Sequence, residues 1–201
     1  MSELLTFIRL GFGHIISPEA IDHIFFLLAL AAVYRLRDWR DCLWVVTAFT
    51  IGHSITLALP VTGLVSLPTP LIEFLIPVTI VATGIENLVV RDRRRALCEG
   101  RYRPVFAGVF GLVHGAGFAN YLNSLFVDRV AVPLLGFNLG IELGQILVIS
   151  FAAVVLGVLD QLLGLIPLSA RAPAPVRVRA VIVSSAVAMV AARWAIQRMP
   201  W

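Results

Sequence analysis

The sequence contains no lysine and only two cysteines, and both shortages narrow what the protein can be. Two cysteines are too few for a disulfide framework, so we expect a reduced pair in a cytoplasmic environment. All sixteen basic residues are arginines, and most lie in short segments between apolar runs. Arginines in such positions typically set membrane topology. We therefore expect no nucleic-acid partner.

Apolar residues are what the sequence has in abundance. They make up 59% of the 201 residues, and the mean hydropathy is +0.93. Because soluble domains are typically about 45–50% apolar, the lipid bilayer is the expected environment. A membrane-spanning helix needs about 20 apolar residues. The sequence predicts an all-α polytopic membrane helix bundle, one domain over residues 1–201, with an interfacial or re-entrant segment at 1–17 and about six transmembrane helices at 18–34, 43–60, 70–90, 104–126, 132–157 and 180–197.

The distribution of arginine predicts the orientation of this bundle. Twelve of the sixteen arginines follow the first, third and fifth predicted spans. The positive-inside rule places these loops in the cytoplasm and both termini outside, as in a multi-pass protein of the bacterial inner membrane. No internal repeat is evident in the sequence, so it does not indicate an inverted-repeat transporter.

The first predicted span carries a cluster of ionisable residues. An acid in hydrocarbon costs about 2.5–3.5 kcal/mol on insertion scales, so such groups are expected to face a partner, a cavity or a metal ion. Ser17 and Pro18 have the pattern of a helix N-cap and first residue. A chain reversal at this point would fold His14 over Asp22 and His23. We interpret these last three residues as metal ligands.

Three later spans carry polar residues of the same kind. Thr50, His53 and Ser54 share one face of the second span and predict a hydrophilic lining. His114 adjoins a glycine-rich surface in the fourth span, where helices are expected to meet. The fifth span has a polar face with one carboxylate. That face consists of Asn138, Glu142 and Gln145, and it predicts either polar groups on a pathway or a structural hydrogen-bond ladder.

The remaining acidic residues in the spans have simpler explanations. Glu19 and Glu73 lie near helix starts, where a carboxylate complements the helix dipole. Glu86 and Asn87 lie closer to the cytoplasmic end, within reach of Arg91. For Glu86 an interfacial salt bridge and a role on an exit path are equally compatible with the sequence.

Imidazole and carboxylate together favour a divalent transition metal ion. Nickel, cobalt, zinc and copper(II) all accept such ligands, whereas magnesium and calcium prefer oxygen alone. The ligand types do not choose among nickel, cobalt and zinc.

Four stretches of the sequence resemble, in order, blocks of the HupE/UreJ family of membrane proteins. They are GFGHIISPEAIDHIFFLLAL, VTAFTIGHSITLAL, FGLVHGAGFANYL and LLGFNLGIELGQ, and together they extend over about residues 10–150. That family is associated with hydrogenase and urease accessory functions and is regarded as nickel or cobalt permeases. A shorter His-Pro-type stretch precedes the Asp-His pair in its better-characterised branch, where this chain has IISPEAI. The resemblance implies metal-handling roles for His14, Asp22, His23, His53, His114 and Glu142.

Two functions compete at this point. The first is a permease or channel for uptake of a divalent metal ion as substrate, met first by His14, Asp22 and His23. The sequence contains no Walker motif, so we do not expect this chain alone to drive transport with ATP. The second is an intramembrane zinc hydrolase, in which three histidines hold zinc and Glu142 or Asp22 acts as the base. The sequence lacks HExxH, so we expect no enzyme. It leaves open a homo-oligomer or an accessory partner.

Overall fold

The chain folds into a bundle of α-helices in the computed structural model, which describes residues 3–58, 68–90, 102–123, 131–165 and 173–201. Within these ranges there is no β-strand, so the all-α prediction is confirmed. Short 3₁₀ turns at Pro18–Ala20 and Leu36–Asp38 precede two of the helices. The helices are α1 Glu3–Ile16, α2 Ile21–Ala31, α3 Trp39–Ala58, α4 Thr69–Val89, α5 Tyr102–Asn123, α6 Ala131–Gly164 and α7 Pro175–Gln197.

Several of these helices have the length and apolar character of membrane spans. Among the described residues, α3, α4, α6 and α7 qualify individually, and α1 with α2 qualifies as a fifth if the two form one bent span. α5 has 22 residues and is therefore about 33 Å long. The chain is thus a membrane protein by its helices, while the number of six spans and the outward position of both termini stay predictions.

The chain is bent between α1 and α2, and here the structure corrects the sequence analysis. Ser17 precedes a 3₁₀ turn at Pro18–Ala20 and its carbonyl oxygen accepts from Ala20 at 3.0 Å, so the predicted start lies at a 3₁₀ turn and α2 begins only at Ile21. The expected chain reversal is wrong, since the two helix axes differ by 71°. With 11 residues, α2 is about 16 Å long and cannot cross a bilayer alone. A bent pair of this kind is typical of a broken span or of a re-entrant loop.

Glycines let α1 lie directly against the backbone of α6. A Cβ atom added to Gly11 would collide with the carbonyl oxygen of Phe137, and one added to Gly140 would collide with the carbonyl oxygen of Ile8. Backbone contact of this kind is typical of helix pairs in membranes, where small residues permit close approach. Residues 3–16 therefore form a helix packed along α6, and their interfacial or re-entrant position stays a prediction.

The pair formed by α3 and α5 has the same packing pattern. Gly52 lies against the carbonyl oxygen of Gly108, and Gly111 lies against that of Phe49. On α3, Phe49 and Gly52 follow Ile8 and Gly11 of α1 by 41 positions. On α5, Gly108 and Gly111 precede Phe137 and Gly140 of α6 by 29 positions. The molecule therefore contains a repeated helix pair that the sequence analysis did not find.

Arginines close the end of the bundle where α2 and α4 end and α7 begins. Arg177 donates to the carbonyl oxygens of Asn87 and Leu88 at 2.7 and 2.5 Å. Arg179 donates to Asp160 at 2.5 Å and also to carbonyl oxygens in the segment after α2. These guanidinium groups satisfy carbonyls that have no partner inside a helix. The end of the bundle that was predicted to be cytoplasmic is thus tied together by arginine.

Candidate metal site

The four histidines of the sequence meet in the interior of the bundle. The ring of His23 on α2 lies at the centre of the group, with centroid distances of 5.0 Å to His14, 5.7 Å to His53 and 5.1 Å to His114. His14 comes from the end of α1, His53 from α3 and His114 from α5. Four separate helices thus contribute one imidazole each. We call these four residues the histidine cluster.

Three members of the histidine cluster have metal-binding geometry. His14, His23 and His53 can each offer one ring nitrogen such that these atoms lie within 4.8 Å of one another. His23, His53 and His114 are at most 5% exposed. Among the described residues, no hydrogen-bond partner exists for Nε2 of His14, Nε2 of His23, either nitrogen of His53 or Nδ1 of His114. Buried polar atoms are usually paired, so this many unpaired nitrogens in one place indicate a ligand.

Asp22 contacts His23 and determines which ring nitrogen of His23 keeps a lone pair for a metal ion. The Oδ1 atom of Asp22 accepts from the backbone N–H of His23 at 3.0 Å and lies 3.2 Å from the Nδ1 atom of the ring. A carboxylate only accepts, so the ring proton is on Nδ1 and the lone pair is on Nε2. Asp22 is therefore placed to orient His23 for a metal ion, the arrangement in which a carboxylate supports a ligating histidine.

Thr79 on α4 determines in the same way which ring nitrogen of His114 keeps a lone pair. Its hydroxyl donates to the carbonyl oxygen of Ile76 at 2.7 Å and lies 3.0 Å from Nε2 of His114. Because its one proton is used, the hydroxyl accepts from Nε2–H, and Nδ1 of His114 keeps its lone pair. The unpaired nitrogens of both His23 and His114 are thus the ones able to bind a cation.

Aromatic rings surround the histidine cluster. Phe118 lies 4.1 Å from the His14 ring and stacks on Phe137 at 5.4 Å, with 8° between the planes. On the other side, Phe49 lies 5.2 Å from the ring of His114. These rings limit the access of water, which strengthens the electrostatic interactions within the cluster.

The comparison with known families agrees with these motifs and their placement. The family model described as HupE / UreJ protein matches residues 1–198 of the 201-residue chain. The chain belongs to the HupE/UreJ family. The match extends beyond the motifs that suggested it, which lie between about 10 and 150. Neither the curated proteins nor the solved structures include a match to the chain.

In this HupE/UreJ chain, Glu142 is not one of the three residues with metal-binding geometry. Its Oε1 atom accepts from Thr47 at 3.2 Å. Thr47 precedes His53 by six residues, or about 9 Å along α3. The ligand group therefore does not include Glu142.

Hydrogen bonds also involve other predicted polar residues of α3 and α6. Thr50 donates to Gln145 at 2.8 Å, and Ser54 donates to the carbonyl oxygen of Thr50 at 2.6 Å. The Oδ1 atom of Asn138 is buried and has no partner among the described residues. The structure thus brings a polar face of α6 against the hydroxyls of α3, beside the histidine cluster.

Glu86 and Asn87 lie at the arginine-rich end of the HupE/UreJ bundle, away from the histidines. Glu86 is seven residues beyond Thr79 on α4, about 10 Å along the helix. It bonds to Tyr102 and Arg103, and Arg91, its expected partner, lies outside the described residues. Glu73 is exposed in the second turn of α4. The side chain of Glu19 also lies outside the described part of the chain.

Sequence reasoning missed two residues that contact the site. Thr79 was detectable, because Thr79, Thr83 and Asn87 recur at four-residue spacing and form a buried polar stripe on α4. Arg198 was not, since it follows the end of α7, 176 positions from its partner. It lies 3.8 Å from Oδ2 of Asp22, the oxygen that faces away from His23.

Proposed function

We propose that this HupE/UreJ protein is a permease or channel that takes up a divalent transition metal ion, nickel or cobalt, across the bacterial inner membrane. The ion binds at the centre of the bundle to His14, His23 and His53, with His114 as a fourth ligand and Asp22 as the group that orients His23. One observation carries the proposal: unpaired ring nitrogens converge there from four helices in a buried site.

The chemistry of the ligands supports a transition metal ion as the substrate. Neutral imidazole suits nickel, cobalt, zinc and copper(II). A set of neutral ligands leaves the double positive charge of the ion balanced only in part by Asp22. Binding is therefore weaker than in a permanent metal site with several anionic ligands, which suits an ion that must also leave.

The position of the site supports transport. Thr79 is ten residues from either end of α4, so the histidine cluster lies near the middle of the membrane-spanning helices. Transporters typically bind their substrates near the midplane, at a break in a helix. The Pro18–Ala20 turn provides such a break between His14 and His23. Thr50, Ser54, Asn138, Glu142 and Gln145 supply polar groups along the path beside it.

The placement of the carboxylates favours transport over zinc-dependent hydrolysis. A zinc hydrolase keeps one open position on the metal ion for water and a base beside it. Asp22 is engaged with His23, and Glu142 is engaged with Thr47. With both carboxylates held by these partners, neither is free to act as the base for a metal-bound water.

Uptake by the purified protein in proteoliposomes tests the proposal. Radioactive nickel and cobalt are measured for the wild type, His23→Ala and Gly157→Ala, a matched control because nothing lies within 4 Å of a Cβ at Gly157. The wild type and Gly157→Ala are expected to accumulate at least one of the two metals at the same rate, and His23→Ala is expected to lose at least nine-tenths of it. Wild-type uptake no faster than in empty vesicles, or unchanged uptake by His23→Ala, contradicts the proposal.

A further inference from the structure

A cavity lies on the arginine-rich side of the histidine cluster, and no histidine lines it. It lies between α2, α4 and α5, and Phe26 and Phe110 line it at the histidine end. The ring of Phe26 is 5.5 Å from that of His114. At its other end, the cavity is lined by Glu86 and Arg103. An ion that passed Phe26 from the histidine cluster into this cavity would meet these two side chains last.

The guanidinium of Arg103 fills a site made of oxygen atoms. It donates to both carboxylate oxygens of Glu86 and, at 2.6 Å, to the side-chain oxygen of Asn87. The hydroxyl of Tyr102 donates to the same carboxylate. Arg103 is only 8% exposed, and its Nη1 atom has no partner among the described residues. The guanidinium also lies 5.8 Å from the centre of the Tyr34 ring, so Arg103 is held between α4 and the segment after α2.

We propose that Glu86, together with the side-chain oxygen of Asn87, forms a second binding position for the transported metal ion, and that Arg103 occupies it as a built-in cation and closes the path. This inference rests on the proposed transport function. A divalent ion in the cavity repels the guanidinium and attracts the carboxylate across a poorly screened distance. The ion therefore displaces Arg103 from Glu86, and Arg103 returns when the ion has left. Glu86 stays neutralised throughout by one cation or the other.

A second buried arginine at the same end serves as a control. Arg179 is 2% exposed and pairs with Asp160 at 2.5 Å, so its burial and charge resemble those of Arg103. Its other bonds go to the backbone carbonyls of Ala32 and Tyr34, and it does not line the cavity. Arg179 therefore has a structural role only, and its replacement should not open the path.

Labelling of a cysteine in the cavity tests the closure without reference to metal transport. Ala107 lines the cavity and is 2% exposed. Ala107→Cys, made in a chain whose Cys42 and Cys98 are replaced by alanine, is exposed to a small cationic thiol reagent on the arginine-rich side of membrane vesicles. With Arg103→Gln, labelling should become at least tenfold faster, because the positive plug is gone.

Two variants control this labelling experiment. Arg103→Lys, which keeps the charge, and Arg179→Gln should both label within twofold of the parent chain. An unchanged rate with Arg103→Gln overturns the proposal. So does an equal increase with Arg179→Gln, which would mean that loss of any buried arginine loosens the bundle. If Arg103→Gln does not fold, Glu86→Gln, which removes the charge that holds Arg103, should accelerate labelling at least threefold, and an unchanged rate has the same meaning.

Metal flux tests the second binding position. Glu86→Gln should slow nickel or cobalt flux about tenfold in proteoliposomes while leaving equilibrium metal binding by the purified protein within twofold, because the histidine cluster is intact. Flux equal to that of the wild type overturns the second position. Absence of flux in the wild type instead refutes the proposed transport function, and the labelling rates still decide whether Arg103 closes the cavity.

Discussion

Replacing Asp22 by asparagine measures how much the carboxylate bonded to His23 contributes to metal affinity. Asparagine keeps the volume and one acceptor oxygen, so the bond from the His23 backbone at 3.0 Å can persist. The negative charge beside the imidazole is lost. Removal of such a supporting group typically costs about 10–100-fold in metal affinity. Because the contact between Oδ1 and Nδ1 is 3.2 Å, longer than a strong charge-assisted bond, we expect a loss near tenfold, or about 1.4 kcal/mol.

Equilibrium dialysis of the purified protein in detergent, with nickel and with cobalt, measures this loss. His23→Ala serves as the reference for removal of a ligand, and Asp160→Asn, at the arginine-rich end, serves as a carboxylate control that should leave affinity unchanged. A loss for Asp22→Asn as large as that for His23→Ala would mean that Asp22 binds the metal ion directly. A loss below twofold would mean that the carboxylate does not support His23 at all. Either result contradicts the role of Asp22 as a group that orients His23 without binding the metal ion.

Three further predictions concern residues whose surroundings differ. His14→Ala should lower metal affinity at least 100-fold in the same dialysis assay. His114→Ala should lower it only about tenfold, because His114 lies outside the group formed by His14, His23 and His53. Equal losses for the two variants would contradict this ranking. Glu142→Gln should leave metal affinity within threefold, and a loss above tenfold would make Glu142 a ligand after all. Gly111→Ala should lower the midpoint of thermal unfolding by several degrees, because the added Cβ would collide with a backbone carbonyl on α3. Gly157→Ala should leave the midpoint unchanged. Similar midpoints for the two variants would show that the contact between α3 and α5 is not tight.

The general architecture and the position of the histidines followed from simple physical constraints. Apolar runs separated by arginine-containing loops can form little else than a helical membrane bundle, because backbone groups in lipid must bond within their own helix. His53 and His114 face the interior since an ionisable group in contact with lipid is costly. With one such residue in each of several helices, their meeting in the bundle is the arrangement that best relieves this cost.

Details that depend on the relation between helices could not be predicted. The direction of the bend at Pro18–Ala20 is set by the packing of α1 along α6, which no local pattern encodes. The separation of Glu142 from the ligand group depends on the register between α6 and α3. The pairing of Arg103 with Glu86 likewise depends on how α5 lies against α4. Short-range periodicity indicates which face of a helix is polar, but not which residue of the next helix it meets.

X-ray absorption spectroscopy of the purified protein loaded with nickel or cobalt tests the central claim most directly, because it counts imidazole ligands through their multiple-scattering signal. We expect at least three imidazoles on the metal ion in the wild type and one fewer in His53→Ala. A spectrum with oxygen ligands only, or one in which His53→Ala leaves the number of imidazoles unchanged, would contradict the claim that the histidine cluster holds the transported ion.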